Sequence, residues 1–503
     1  MRTDVCLILE GTYPYVAGGV STWVAQMLQQ MAHLRFSILF IWPSRDTPRS
    51  AKYRIPPNVA DFKEVFLFDY PSIPENYQPE QQLSDEDYEA IGRFERNSAA
   101  ARAIDLEETI RAVEKLPEDR DLVWNLAHSE EAWDRAVRQY EEFAPEGTSF
   151  LHYFWSHRFI NVPALSLLRT KIPRARVYHA ACTGYAGLLG AKAALRTGAP
   201  LLVTEHGIYA SERKVEIFNA RWIRDTTNGF LDMRGSDFFK EWWIRFFQSL
   251  SRTTYQSAAE ITSLFDVNRW IQQRDGAPPE KTSVIPNGID TSRYAGIQPR
   301  KRRSGQPLRV GLVGRVAPIK DVKTFLKSLW LLKKRSVEVE GYVLGAMDED
   351  EAYASECLEM TERLGLEEDV EFTGYVDVFD YLGYFDVVAI TSVSEGLPFA
   401  VLEAGASGLP VVATDVGACR ELLHGRTAED KALGRSGIVT PVATPNATAS
   451  ALERMARSPR QARRMGEAGR RRIKRFYDIR EVTSQYTQLY ENYLYTAGKG
   501  EAV

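Results

Sequence analysis

Short apolar runs separated by longer amphipathic stretches set the rhythm of this chain. DVCLILEG, FSILFIW, PLLVTE and EITSLF read as buried strands, while TYPYVAGGVSTWVAQMLQQM and FFKEWWIRFFQSLSRTTYQSA place apolar residues at helical spacing. SFLHYFWS and VYHAACTG carry the same continuous apolar signal and are assigned as strands too. From about 70 to 144 the alternation gives way to polar, acid-rich stretches such as DYEAIGRFERNSAAARAIDLEETIRAVEKL, which predict a helical insertion. GIQPRKRRSGQP, rich in Gly, Pro and charge, marks a linker. Beyond it LRVGLVG, VEGYVLGA, VEFTGY, DVVAITS, GLPVVATD and SGIVTP alternate with helices, the pattern of a parallel, doubly wound sheet. Two α/β domains are therefore expected, residues 1–296 and 297–476, with a last helix in 477–503 that crosses back onto the first.

The most telling stretch is SVSEGLPFAVLEAGASGLPVVATDVG, from Ser392. It reads as strand end, tight turn, helix and next strand, with Glu395 before the turn and Glu403 inside the helix. Such a junction aims unpaired backbone N–H groups and a positive helix end past the strand, which favours phosphate. Glu403, about two turns in, is placed to meet vicinal hydroxyls such as those of a ribose, and Glu395 to face the group beyond the phosphates. The bland alternative is a solvated helix face; the small residues Ala404, Gly405 and Ala406 around Glu403 favour a site. In VGRVAPIKD, Arg315 follows a strand and Lys320 opens a helix, so two cations stand where a departing diphosphate would need its charge relieved. Each alone reads equally as a surface ion pair. Gly18 and Gly19 form a second glycine turn before a helix, where only glycine lets backbone approach a phosphate closely. His206, in TEHG, lies at a strand end and is either a hydrogen-bond donor to a ligand or a satisfied core histidine.

Composition narrows the classes. The 503 residues are 44% hydrophobic and 26% charged with a net charge of −4, so a sizeable core is available and no electrostatic footprint for nucleic acid appears. The exception is RMARSPRQARRMGEAGRRRIKRF, from Arg454, which reads as a solvated helix face or as a surface for anionic lipid or a partner. Cys6, Cys182, Cys357 and Cys419 are too scattered for a zinc cluster or a disulfide framework. No apolar run approaches the ~18–20 residues of a membrane span, and the early acid in MRTDVCLILEG argues against a signal peptide. A soluble, cytoplasmic protein is expected.

GRVAPIKD together with EGLPFAVLEAGASGLPVVATDVGACREL resembles the retaining glycosyltransferases of family GT4, which have the GT-B fold. DVCLILEGTYPYVAGGVSTWV, the helical insertion and TEHGIYASERK extend the resemblance, over nearly the whole chain, to a branch that builds an exopolysaccharide. The resemblance implies that Arg315 and Lys320 hold the diphosphate, that Glu403 binds the ribose, and that Glu395 lies beside the donor sugar. Backbone of Gly396, Leu397 and Phe399 completes the cradle; Pro398 has no N–H to give. Gly18 and Gly19 approach the diphosphate from the first domain, His206 faces the reacting centre, and Tyr375 and Val376 meet the base through backbone. It further implies a UDP-sugar donor, a polysaccharide acceptor, membrane-embedded partners at the inner face, no metal ion or other cofactor, and a cleft between the domains. The acidic DED at Asp348–Asp350 is expected to be a solvated loop, and Asn287 to shape its turn. Two rival readings are a nucleotide-sugar-binding regulatory subunit without turnover and a UDP-sugar epimerase.

Overall fold

The computed structural model describes residues 2–220, 223, 238–303 and 305–499. These group into two compact units. The first takes Met1–Ser263, Arg269–Ser283 and the chain from Thr487; the second takes Leu264–Asn268 and Val284–Tyr486, so the linker near 296 lies inside the second unit.

The first unit carries strands β1 (Thr3–Glu10), β2 (Phe36–Trp42), β3 (Val59–Phe66), β4 (Ala175–Ala180), β5 (Leu201–Glu205), β6 (Glu260–Ser263) and β7 (Thr282–Val284) in the order β3-β2-β1-β4-β5-β6-β7. Val5, Cys6, Leu7, Ile8 and Leu9 of β1 are all fully buried, because crossover helices cover both faces of a parallel sheet. Such strands read as unbroken apolar runs, and they lie where those runs predict them. The edge strand β3, VADFKEVF, escapes that reading: it pairs on one side only, and its mixed, partly exposed residues suit an edge.

SFLHYFWS is not a strand. It opens the helix Phe150–Arg169, which buries Tyr153, His157 and Ile160 on its inner side and exposes Leu151, Trp155 and Phe159 at four-residue spacing. Apolar residues on both sides of the helix hide its period, and a short apolar run does not distinguish helix from strand. The helical insertion accordingly extends further than 144, with helices Asp85–Ala99, Leu106–Glu114, Asp119–Ala127, Glu130–Phe143 and Phe150–Arg169. Its interior is pinned by the buried Glu95 carboxylate, which accepts from Arg135 Nε at 3.0 Å and Gln139 Nε2 at 2.7 Å. A buried charge persists only when paired in this way.

The second unit carries β8 (Leu308–Val313), β9 (Val339–Leu344), β10 (Val370–Gly374), β11 (Val387–Ile390), β12 (Val411–Thr414) and β13 (Gly437–Thr440), all parallel, in the order β10-β9-β8-β11-β12-β13. Both sheets are thus doubly wound, and the sites of such sheets form beyond the carboxyl ends of the strands. The last helix, Ile479–Lys499, is divided: residues through Tyr486 group with the second unit and those from Thr487 with the first. In the first unit, Tyr490 meets His179 Nδ1 at 2.6 Å and Arg176 Nη2 donates to the Leu494 carbonyl at 2.6 Å. Among the described residues no helix is long and apolar enough to cross a membrane.

Candidate functional site

Past β8, the turn Pro318–Lys320 leads into Asp321, whose left-handed backbone (φ +46°) starts the helix Val322–Lys334. Asp321 Oδ1 accepts from Thr324 N at 3.1 Å, an N-cap. This turn is stitched to the end of β11: Thr391 Oγ1 donates to the carbonyls of Lys320 (3.1 Å) and Asp321 (3.0 Å), and Val393 N to that of Ile319 (2.9 Å). Fixed backbone on both sides brings Lys320 Nζ to 2.6 Å from Glu395 Oε1, and Ser392 Oγ donates to the same oxygen at 2.6 Å. The EGLPF loop rests on a third turn. Gly417 has φ +50°, and a Cβ there would lie 2.2 Å from the carbonyl oxygens of both Glu395 and Gly396, so only glycine fits.

The loop delivers the helix Phe399–Ala406, whose start has no side-chain cap. Its first N–H groups therefore point outward without intrahelical acceptors. Leu397 is buried beneath it, while Gly396 is exposed. One turn further in, Glu403 accepts from Tyr294 Oη at 3.1 Å. Burial pushes its carboxyl above the usual range, and the Tyr294 hydrogen bond opposes that shift. Tyr294 is itself braced by the Phe379 ring, over which Arg293 lies on its way to Asp377, 2.6 Å away.

Arg315 does not join Lys320. Its guanidinium forms an ion pair with Glu349 and its side chain is 55% exposed. The loop at Asp348–Asp350 is consequently more than solvated: Glu349 holds Arg315, and Asp350 caps the helix Glu351–Leu364 through Tyr353 N at 2.9 Å. Tyr375 is 91% exposed, whereas the Val376 side chain packs on the core. Asn287 is buried, with no partner for its Oδ1 among the described residues.

In the first unit Gly18 and Gly19 begin the helix Gly19–Gln30, again without a side-chain cap. From that helix Trp23 packs edge-on against His206, ring centroids 4.9 Å apart. His206 follows β5 and lines a cavity of about 640 Å³. Neither ring nitrogen has a hydrogen-bond partner among the described residues, and burial pushes the imidazole down to about 3, so it is neutral at physiological pH. Glu10 lines the same cavity, accepting from Tyr209 Oη at 2.6 Å and Ala186 N at 3.3 Å. Arg213, whose guanidinium lies over the Tyr209 ring, lines it too, with Glu212 and Glu216. The neighbouring Glu205 is fully engaged by Thr183, Tyr209 N, Tyr255 and Gln272, and is structural. Among the described residues no group of three or more His, Cys, Asp or Glu side chains is arranged to hold a metal ion.

Tyr294, Ser392 and Thr391 in the second unit, and Glu10 and Tyr209 in the first, are the residues that sequence reasoning missed. Tyr294 stands 109 positions from Glu403 and carries no local signal. Ser392 and Thr391 lie beside the EGLPF motif and were within reach.

Residues 3–280 match the family described as "Domain of unknown function (DUF3492)", and residues 307–458 match the family described as "Glycosyl transferases group 1". The MMP alpha-(1->4)-mannosyltransferase of Mycolicibacterium hassiacum is 28% identical over 304 residues, 59% of this chain and 66% of the relative. A D-inositol 3-phosphate glycosyltransferase of Kineococcus radiotolerans is 28% identical over 221 residues, 40% of this chain and 49% of the relative. The chain thus spans between about half and just under two thirds of these curated relatives. Among solved structures, Anabaena HepE in complex with UDP aligns with a TM-score of 0.57 at 14% identity, covering 97% of this chain and all of HepE. Sucrose-phosphate synthase from Thermosynechococcus elongatus aligns with a TM-score of 0.56 at 15% identity, covering 98% of this chain and 100% of that one. These likenesses show the fold, two Rossmann-like units with parallel sheets as in GT-B glycosyltransferases.

Proposed function

We propose that this chain, which belongs to the DUF3492 family, is a retaining glycosyltransferase that takes a hexose or N-acetylhexosamine from a UDP-sugar. The observation that carries the reading is the Lys320–Glu395 pair, held between two strand ends beside an uncapped helix start, within the segment that matches the group 1 glycosyl transferases. An ammonium kept in place by a carboxylate and a fixed turn is preorganised for an anion, and preorganised charge stabilises a transition state without reorganisation at the moment of reaction.

In this reading Lys320 takes up charge on the diphosphate as the glycosidic bond breaks, with Arg315 exchanging Glu349 for phosphate. Amide groups of Gly396, Leu397 and Phe399 share that charge. Glu403, released from Tyr294 or bridging to it, binds the ribose hydroxyls, and backbone at Val376 meets the base. Glu395, steadied by Ser392, orients the donor sugar. His206, neutral and with no hydrogen-bond partner among the described residues, donates to a sugar hydroxyl or to developing charge. Retention proceeds on one face, the leaving phosphate oxygen taking the proton of the incoming hydroxyl, so no carboxylate nucleophile is required. The charge relief assigned here needs no divalent ion.

HepE has been solved with UDP and with UDP-glucose, which supports UDP as the carrier. For the acceptor we propose a growing exopolysaccharide, with Pel polysaccharide in biofilm formation as the specific case, on the motif resemblance in TEHGIYASERK and the amino-terminal strand and turn. Work at the inner face of the cytoplasmic membrane with polymer-exporting partners belongs to the same proposal. The test is UDP release from purified protein offered several UDP-sugars, with and without an oligosaccharide acceptor. Acceptor-stimulated release is expected. Tight UDP binding with no release under any condition overturns the transferase reading in favour of a regulatory subunit, and conversion of one UDP-sugar to its epimer overturns it in favour of an isomerase.

A further inference from the structure

Two basic segments of the sequence, the linker QPRKRR and the helix Pro459–Phe476, take no part in the chemistry above, and the fold brings them together. They enclose a cavity of about 280 Å³ in the second unit. Leu308 opens β8, Asp386 immediately precedes β11 and Pro410 immediately precedes β12, so the cavity lies at the amino ends of the strands whose carboxyl ends carry Arg315 and Glu395. It is therefore separate from the proposed donor site.

Arg300, Lys301, Arg302, Arg463 and Arg470 line it against two carboxylates, Asp386 and Glu467. Arg300 is spoken for by Asp386 at 3.3 Å. The other four form no ion pair among the described residues, Arg302 sharing only the more distant field of Asp386. Arg302 and Arg470 are instead fixed by backbone carbonyls: Arg302 Nη1 donates to Gln306 at 3.0 Å, and Arg470 Nη2 to Ile297 at 2.8 Å and Ser407 at 2.5 Å. Those contacts set geometry without cancelling charge. Arg470 Nε, buried, has no acceptor among the described residues, and a buried orphan donor is a position that a ligand or water fills. Lys301 and Arg463 are exposed at the mouth. From that mouth the outer face of the helix continues the charge through Arg460, Arg464, Arg471 and Lys474, with Glu467 the exposed acid among them. On a chain of net charge −4, so concentrated a positive surface fits a partner of opposite sign.

We propose that this cavity holds the phosphate of an anionic lipid headgroup and that the adjoining helix face lies on the negatively charged bilayer around it. Small-anion chemistry accounts for the cavity alone; the basic face that runs on from it along an 18-residue helix requires an extended surface of negative charge. The contact is peripheral and electrostatic, the mode by which clustered Lys and Arg attract a protein to an anionic leaflet.

The experiment is co-sedimentation of the full chain with phosphatidylcholine vesicles that do or do not contain phosphatidylglycerol, at near-physiological salt. Binding only to the anionic vesicles is expected. Lys301→Ala/Arg463→Ala, both at exposed positions, lowers the partition coefficient by about fivefold for each cation removed, and Lys301→Arg/Arg463→Lys restores it. Lys320→Ala, which strikes the donor site, leaves the partition coefficient unchanged, so failure of this proposal and failure of the transferase reading are separable. Equal binding to neutral vesicles, or undiminished binding by the double alanine variant, overturns the proposal. So does calorimetric binding of inorganic phosphate, or retention on a polynucleotide, without any vesicle binding.

Discussion

At the carboxyl end of the second sheet Lys320 already rests on Glu395 and Arg315 on Glu349, whereas at the end of β5 in the first sheet neither ring nitrogen of His206 is engaged by any described residue. The two solutions follow from charge. A cation half removed from water is stabilised by a counter-charge such as Glu395 or Glu349, which a phosphate replaces in the proposed reading. A neutral imidazole tolerates an apolar, aromatic setting, and among the described residues nothing has taken its hydrogen-bonding capacity. In the proposed reading the second unit receives an anion, and the first presents a neutral donor and a carboxylate, Glu10, beside a cavity.

The sharpest way to break this contrast is Lys320→Ala. Removal of one preorganised donor costs about 3–4 kcal/mol of barrier, on the order of 10²–10³ in turnover. The measurement is UDP release, with circular dichroism to verify the fold; near-parental turnover would dissolve the assignment of the pair. Glu403→Ala comes next, and loss of a hydrogen bond to a charged group predicts UDP binding weakened by about 10- to 100-fold, with turnover at saturating donor less affected. Calorimetric titration of UDP checks it, and an unchanged affinity would move the ribose elsewhere.

The histidine side of the comparison is tested by pH. His206 and His179 are both pushed by burial from an ordinary value of 6.5 down to about 3. The unfolded chain therefore binds more protons between those values, so the stability that rests on neutral imidazoles is complete above pH 6.5 and is lost progressively as pH falls toward 3. Thermal melts of the parent should drop between pH 7 and 4, and His206→Phe should drop less. Parallel curves would mean that His206 is not held neutral. The smallest effect is expected for Tyr294→Phe: one hydrogen bond lost from Glu403 should raise the KM for the donor about three- to tenfold, with kcat nearly unchanged.

Much of this was legible in the chain. Buried parallel strands announce themselves as apolar runs because both their faces are covered, and EGLPF followed by an apolar helix marks a strand, turn and helix junction through local chemistry alone. The edge strand β3 and the helix Phe150–Arg169 were not legible, for opposite reasons: β3 is too polar to look buried, and the helix is apolar on its outer side as well as its inner one. Pairings across sequence were equally hidden. Nothing in VGRVAPIKD states that Lys320 meets Glu395 while Arg315 turns to Glu349, and nothing in SRY states that Tyr294 holds Glu403.

The sequence by itself determined the class of fold, the glycine turns and the residue types fit to bind a phosphate-bearing ligand, since these depend on periodicity and on neighbours within a few positions. Tertiary structure alone decided which cation meets which carboxylate, that burial keeps His206 neutral, and that two basic segments 150 or more positions apart share one cavity at the far end of the sheet. Electrostatic partners and burial are set by distance in space, and contacts so remote along the chain leave no local pattern to read.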